Sequence, residues 1–202
     1  WDWNVMPGTT TVHFPNYTGL LALKPTSTEF QLGSFAGASS LGRDGIFGMD
    51  FSQDAKTYYT TSNLKFRKSV FAFDSILVCL GSSISTSNSL GNVATNLFQA
   101  INASTNPAIY INSITPTTGT YNSNLSTTAS GLWLLNTQTT GYYIPQGNGN
   151  VTVFRGSQST PLESSDDANV TATANASKAW INHGTSPTAG KYQFVVVPGT
   201  TP

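Results

Sequence analysis

The chain has 202 residues, of which only 9% are charged, and its nine basic and nine acidic side chains cancel. An ordinary domain carries about 25% charged residues, so no basic field is left here for nucleic acid or for an anionic membrane surface. No apolar run reaches the roughly 20 residues that a membrane-spanning helix needs.

The elements read as short strands in chain order. Trp1 to Thr11 (WDWNVMPGTTT) is an extended entry with a Pro-Gly turn. It has neither the basic head nor the apolar core of a signal peptide, and so reads as an internal or processed end. Leu20 to Phe30 offers a short strand that breaks at Pro25. Gln31 to Phe51 is punctuated by Gly33, Gly37, Gly42, Gly45 and Gly48, which predicts a hairpin with close backbone approach. Asp54 to Ser62 is a polar loop. The longest apolar-rich stretch, Leu64 to Ile84, predicts two strands meeting at Asp74-Ser75. Ile76 to Leu80, apolar at every position, predicts a strand buried on both faces. Leu64 and Phe66 lie in one phase, Phe71 and Phe73 in the other, which predicts a bulge near Lys68-Ser69.

Val93 to Ile101 reads as a strand. Ile109 to Ile114 precedes a Thr/Gly loop. Gly131 to Thr137, Gly141 to Pro145 and Asn148 to Phe154 are three further strands. Pro161 to Ala174 is a solvated loop, Ala176 to His183 carries Trp180, and Gly190 to Pro198 is a terminal strand with Tyr192, Phe194 and Val196 in phase. Many short strands without a 3.6-residue period predict an all-β sandwich forming a single domain over residues 1–202.

The chemistry-bearing residues are sparse. His13 and His183 are the only histidines, and no metal-ligand spacing surrounds either. Cys79 is the only cysteine and sits in the apolar stretch, as a buried thiol would. Glu29 and Glu163 lack the pairing a glycosidase requires. Asp50, Asp54, Asp166 and Asp167 read as solvated or turn residues. Sugar binding fits better: Trp1, Trp3, Tyr58, Tyr59, Tyr142 and Tyr143 are candidates to stack on rings, while Trp133 and Trp180, beside apolar residues, read as core. Six Asn-X-Ser/Thr sequons, at Asn16, Asn102, Asn124, Asn150, Asn169 and Asn175, are candidate glycosylation sites and point to a secreted, extracellular protein.

Four stretches in register carry a resemblance: WDWNVMPGTTT, GSFAGASSLGRDGIFGMDF, LKFRKSVFAFDSILVCLGSSI and AWINHGTSPTAGKYQFVVVPG. Together they resemble the β-sandwich part of the chondroitin, hyaluronate and xanthan lyases. Val70 stands where that family usually has Trp, and Ala94-Thr95-Asn96 where it has Glu-Thr-Thr. The resemblance implies an all-β antiparallel super-sandwich, galactose-mutarotase-like, incomplete relative to the family domain. It also implies that the Tyr, His, Asn and Arg of the elimination belong to an α/α toroid that precedes such a segment. No catalytic residue, metal or cofactor is therefore assigned here.

The expected role is to support the toroid and wall a polysaccharide or glycosaminoglycan cleft. An upstream segment or another copy would complete the sheets. The alternatives are a structural or filament-forming protein that retains the sandwich, and a carbohydrate-binding module.

Overall fold

The computed structural model describes residues 1–14, 33–53, 63–102, 107–112, 115–159 and 173–202. These form two antiparallel sheets. One has five strands in the order β1 (Thr10–His13), β6 (Asn92–Ile101), β13 (Thr173–Thr185), β12 (Val151–Ser159) and β9 (Tyr121–Leu125). The other has nine: β2 (Phe35–Leu41), β3 (Asp44–Ser52), β4 (Lys65–Phe73), β5 (Ile76–Ser85), β14 (Gly190–Pro198), β11 (Thr140–Ile144), β10 (Leu132–Leu135), β7 (Ile109–Ile111) and β8 (Thr115–Thr117). The all-β expectation holds. The stretch after Ile114, read as a Thr/Gly loop, contains β8 and β9. The strand read at Leu20–Phe30 lies outside the described residues, as do the 54–62 loop and residues 161–172 of the later one.

Side chains alternate across a strand, and directly paired residues share a face. The inner faces meet in one core. Val93, Phe98, Val151, Val153 and Ile181 come from the smaller sheet; Cys79, Leu134, Tyr142, Ile144, Tyr192 and Phe194 come from the larger. Phe98 and Tyr142 touch across the interface at 5.2 Å between ring centroids. The predicted phase of Tyr192, Phe194 and Val196 is the inward one.

The strand buried on both faces is β6, whose residues 93–100 are all buried. It was expected at Ile76–Leu80, where instead Leu77 and Leu80 are 36% and 37% exposed. The reason is the mismatch in sheet size. Five strands cannot cover nine, so the β2–β5 arm extends past the smaller sheet. β6 sits between β1 and β13, with the core below it and the entry segment above.

The expected bulge near Lys68-Ser69 is also absent. Met49, Lys68 and Gly81 pair in regular register, as do Gly48, Ser69 and Leu80. Arg67 points outward, 3.8 Å from Asp50. Lys68 points inward and donates from Nζ to the carbonyl of Gly8. The phase change needs no bulge because the outer face is apolar as well. The irregularity lies further along, between Lys65 and Arg67 opposite Ser82 and Ser85, where Ser83 takes φ 55°. That extra residue turns Ile84, fully buried, back into the core.

The outer face of the larger sheet carries a cross-strand row that is apolar at six successive strands: Ile46, Phe71, Val78, Val195, Tyr143 and Trp133. Ile46 and Tyr143 are 45% and 41% exposed. Beside the row, Phe35 lies across the Gly37–Gly48 pair, its ring atoms 3.3 Å from where either Cβ would stand. This is the close approach that the glycine-rich hairpin predicted.

Gly81 shows the same logic inside the core. A Cβ there would collide with the ring of Tyr192. Gly81→Ala is expected to cost about 1–3 kcal/mol by overpacking, read as a lower urea midpoint. Gly119→Ala, where a Cβ meets nothing within 4 Å, should leave the midpoint in place.

Candidate functional site: an amide-lined cleft on the five-stranded sheet

The outer face of the smaller sheet is organised by two buried amides of β6, Asn96 and Gln99, which are 0% and 4% exposed. The entry segment crosses above them. Asn96 Nδ2 faces three oxygens: the Asn4 carbonyl at 3.1 Å, Thr9 Oγ1 at 3.1 Å and Thr11 Oγ1 at 3.0 Å. Its backbone accepts from Gly8 N at 2.8 Å and donates to the Thr9 carbonyl at 2.8 Å. Gln99 accepts from Asp2 N at 2.7 Å and donates to the carbonyls of Asp2 and Val5 at 3.0 and 2.9 Å. Asn4 clamps Phe14 through two 3.0 Å bonds, one given and one received. The Pro-Gly turn closes between, with Gly8 at φ 76° and Thr9 N donating to the Met6 carbonyl at 3.2 Å.

This network fixes the state of His13. Asn96 Nδ2 points at acceptors, so Asn96 Oδ1 must accept, and His13 Nε2, 2.8 Å away, carries the proton. Burial lowers the His13 pKa below 6.5, against the opposing pulls of the Asn96 bond and of Asp2. The ring is neutral at pH 7 and meets Trp180 edge-on at 5.2 Å. His183 bonds Thr95 Oγ1 at 2.9 Å, and burial lowers its pKa to about 4.

Beside the entry segment the sheet opens into a cleft of about 660 Å³ lined by His13, Asn122, Asn124, Asn150, Thr152, Trp180 and Asn182, among others. Among the described residues no Asp, Glu, Lys or Arg lines it. Trp180 Nε1 donates to Asn182 Oδ1 at 2.9 Å. Asn182 Nδ2 donates to Thr152 Oγ1 at 2.7 Å and to Asn124 Oδ1 at 3.1 Å. Lys178, the adjacent residue on the same face, is tied to Asp2 at 2.5 Å and lies over the rings of Phe154 and Trp180 at 5.0 and 5.9 Å. The wall thus offers amides, one hydroxyl, an indole and the neutral imidazole of His13. It holds no carboxylate and no unpaired cationic side chain among the described residues. Among the described residues no group of three His, Cys, Asp or Glu could hold a metal.

The aromatic residues singled out from the sequence lie elsewhere. Trp1 is half-buried, with its indole N–H directed at Met6 Sδ at 3.1 Å. Trp3 is half-buried in the entry segment. Tyr142 is in the core against Phe98, so it has no ring face to offer a sugar. Tyr143 is on the outer face of the other sheet, 6.2 Å from Trp133. Tyr58 and Tyr59 lie outside the described residues. Trp180 and Trp133, read as core, are both half-buried on outer faces. Of the sequons, Asn124 and Asn150 stand at the cleft. Asn102 Oδ1 accepts from Ser177 at 2.9 Å, and Asn175 is exposed on β13. Asn16 and Asn169 are outside the described residues. Cys79 is buried, as expected, and burial raises its pKa.

The model of the polysaccharide lyase family 8 super-sandwich domain matches residues 1–202. The chain belongs to polysaccharide lyase family 8. Among its relatives are the chondroitin sulfate ABC endolyase of Proteus vulgaris, 35% identical over 206 residues, and chondroitinase-AC of Pedobacter heparinus, 31% identical over 209. The alignments take in 100% and 98% of this chain but 19% and 26% of those proteins. The Paenibacillus xanthan lyase structure matches with a TM-score of 0.73 at 25% identity, over 98% of this chain and 18% of that one. The chain therefore spans about a fifth to a quarter of these family members.

Two predictions follow from the network and its histidines. Asn96→Ala removes four part-buried hydrogen bonds and is expected to cost about 2–4 kcal/mol, with protease cutting in residues 1–9 before the rest of the chain unfolds. His183 folds neutral, so stability is full above pH 6.5 and falls as the pH drops towards 4, by at most about 3 kcal/mol. Urea midpoints of His183→Gln should be flatter across that window than those of the parent chain.

Proposed function

We propose that this chain is the framework segment of a secreted family 8 lyase. It supports the catalytic toroid of its parent, walls one side of the polysaccharide path, and carries out no elimination alone. Proton abstraction beside a uronate carboxylate needs a base within reach of the substrate. Among the described residues no carboxylate lines the cleft, and burial weakens its one imidazole, His13, as a base.

The observation that most supports a framework role is the apolar row on the outer face of the nine-stranded sheet. A contiguous apolar face on a sheet is an interaction surface. Residues outside this segment, abundant in relatives of which it spans 19–26%, would cover it. Sheet edges at β1, β9, β2 and β8 offer further attachment.

The same face favours a second reading, assembly of copies into a structural protein. Incubation of the purified chain with chondroitin or hyaluronan should give no rise in the ultraviolet absorbance of unsaturated uronates. Turnover would overturn the framework reading. Mass measurement in solution separates the second: regular concentration-dependent oligomers favour it, and a stable monomer opposes it.

A further inference from the structure

We propose that the cleft over β12 and β13 binds one uncharged pyranose unit of a polysaccharide, stacked on Trp180 and hydrogen-bonded by Asn122, Asn124 and Asn150. The proposal rests on reading the chain as a wall of a polysaccharide path, and it names the kind of unit that wall would hold.

Three features point to this ligand class. The first is the indole. The only polar atom of Trp180 is already bonded to Asn182, so the ring contributes apolar surface, and His13 fixes it edge-on. An aromatic ring of this kind suits the C–H face of a pyranose, which is apolar while its rim is not. The second is the polar lining. A primary amide offers donors and acceptors together, as a sugar hydroxyl does. Asn182 spends both amide hydrogens on Thr152 and Asn124. It is a positioning residue, turning Asn124 so that the carbonyl faces the lattice. Asn124, with Asn122 and Asn150, lines the cleft, and the Asn124 amide nitrogen is not used by either of the bonds that its carbonyl accepts.

The third feature is charge. A sulfated or uronate unit taken out of water needs a cation or a dense set of donors to replace its hydration. Among the described residues no charged side chain lines the cleft, His13 is neutral, and Lys178 is paired with Asp2. An uncharged hexose or N-acetylhexosamine meets no such cost. The volume, about 660 Å³, lies within the range of small-molecule sites and leaves room for neighbouring units to run out along the open groove.

The test is nuclear magnetic resonance titration of the 202-residue chain. The uncharged probes are chitotetraose, cellotetraose and maltotetraose; the charged probes are a chondroitin 4-sulfate tetrasaccharide and trigalacturonate. At least one uncharged probe should shift the Trp180 indole and Asn side-chain amide signals, and should bind more tightly than both charged probes. Trp180→Ala should weaken that binding by about tenfold or more, while Trp180→Phe, keeping a ring, should restore part of it. Asn122→Ala, outside the Trp180–Asn182 lattice, should weaken binding without shifting the unbound indole signal. Unchanged dispersion of core resonances in each variant shows that the fold is kept.

Absence of binding by all three uncharged probes would overturn the proposal. Tighter binding of a charged probe, or binding indifferent to Trp180→Ala, would do so too. Failure here with no lyase turnover removes the cleft proposal alone; turnover removes the framework reading.

Discussion

The buried amides of β6 are the constraint on which the rest of this structure depends. A strand with both faces covered is ordinarily apolar throughout, yet β6 places Asn96 and Gln99 beneath the entry segment. Unpaired, each would be costly in a dry environment. Here they bond the backbone of residues 2 to 9 and so turn an irregular stretch into the cover for a sheet. The same bonds dictate the tautomer of His13, and through His13 the pose of Trp180. An arrangement of this kind is stabilising only while every member is present. The segment WDWNVMPGTTT is accordingly part of the sandwich and not a tail leading into it.

The second constraint is the unequal width of the sheets. Where five strands face nine, the core closes around Phe98, Tyr142 and Phe194. Beyond that overlap both faces of the larger sheet carry partly exposed side chains among the described residues. Among them are the apolar side chains of Leu77, Leu80 and the row from Ile46 to Trp133. Hydrophobic pattern reports which residues require cover. It does not report whether the cover belongs to the same stretch of chain.

That distinction separates what was legible from what was not. Strand existence was readable for β3 to β6 and β10 to β14, because alternation and turn residues are local signals. The hairpin at Gly42 and the inward phase of β14 were readable for the same reason. The burial of Ile76–Leu80 was misread, since a continuous apolar run looks alike whether its second face meets a core or an absent partner. Tyr142 and Tyr143 are neighbours on opposite faces, and only pairing with Val196 and Val195 decides which is buried. Trp180 was misplaced by attention to adjacent residues. Its same-face neighbours are Lys178 and Asn182, both polar, and a reading at intervals of two would have set it on the wet face.

The poverty of charge in the sequence and the character of the cleft share one cause. A surface built from Asn, Thr and Ser is hydrated without a strong field, so it neither steers polyanions nor shifts the acidity of what it touches. Elimination at a uronate depends on those two abilities: neutralising a carboxylate and removing a neighbouring proton. Holding a sugar ring requires neither, only an apolar platform and groups that both give and accept hydrogen bonds. Under the proposed reading, such a composition serves contact with polysaccharide more readily than its cleavage. That reading accords with a segment that spans a fifth to a quarter of its relatives.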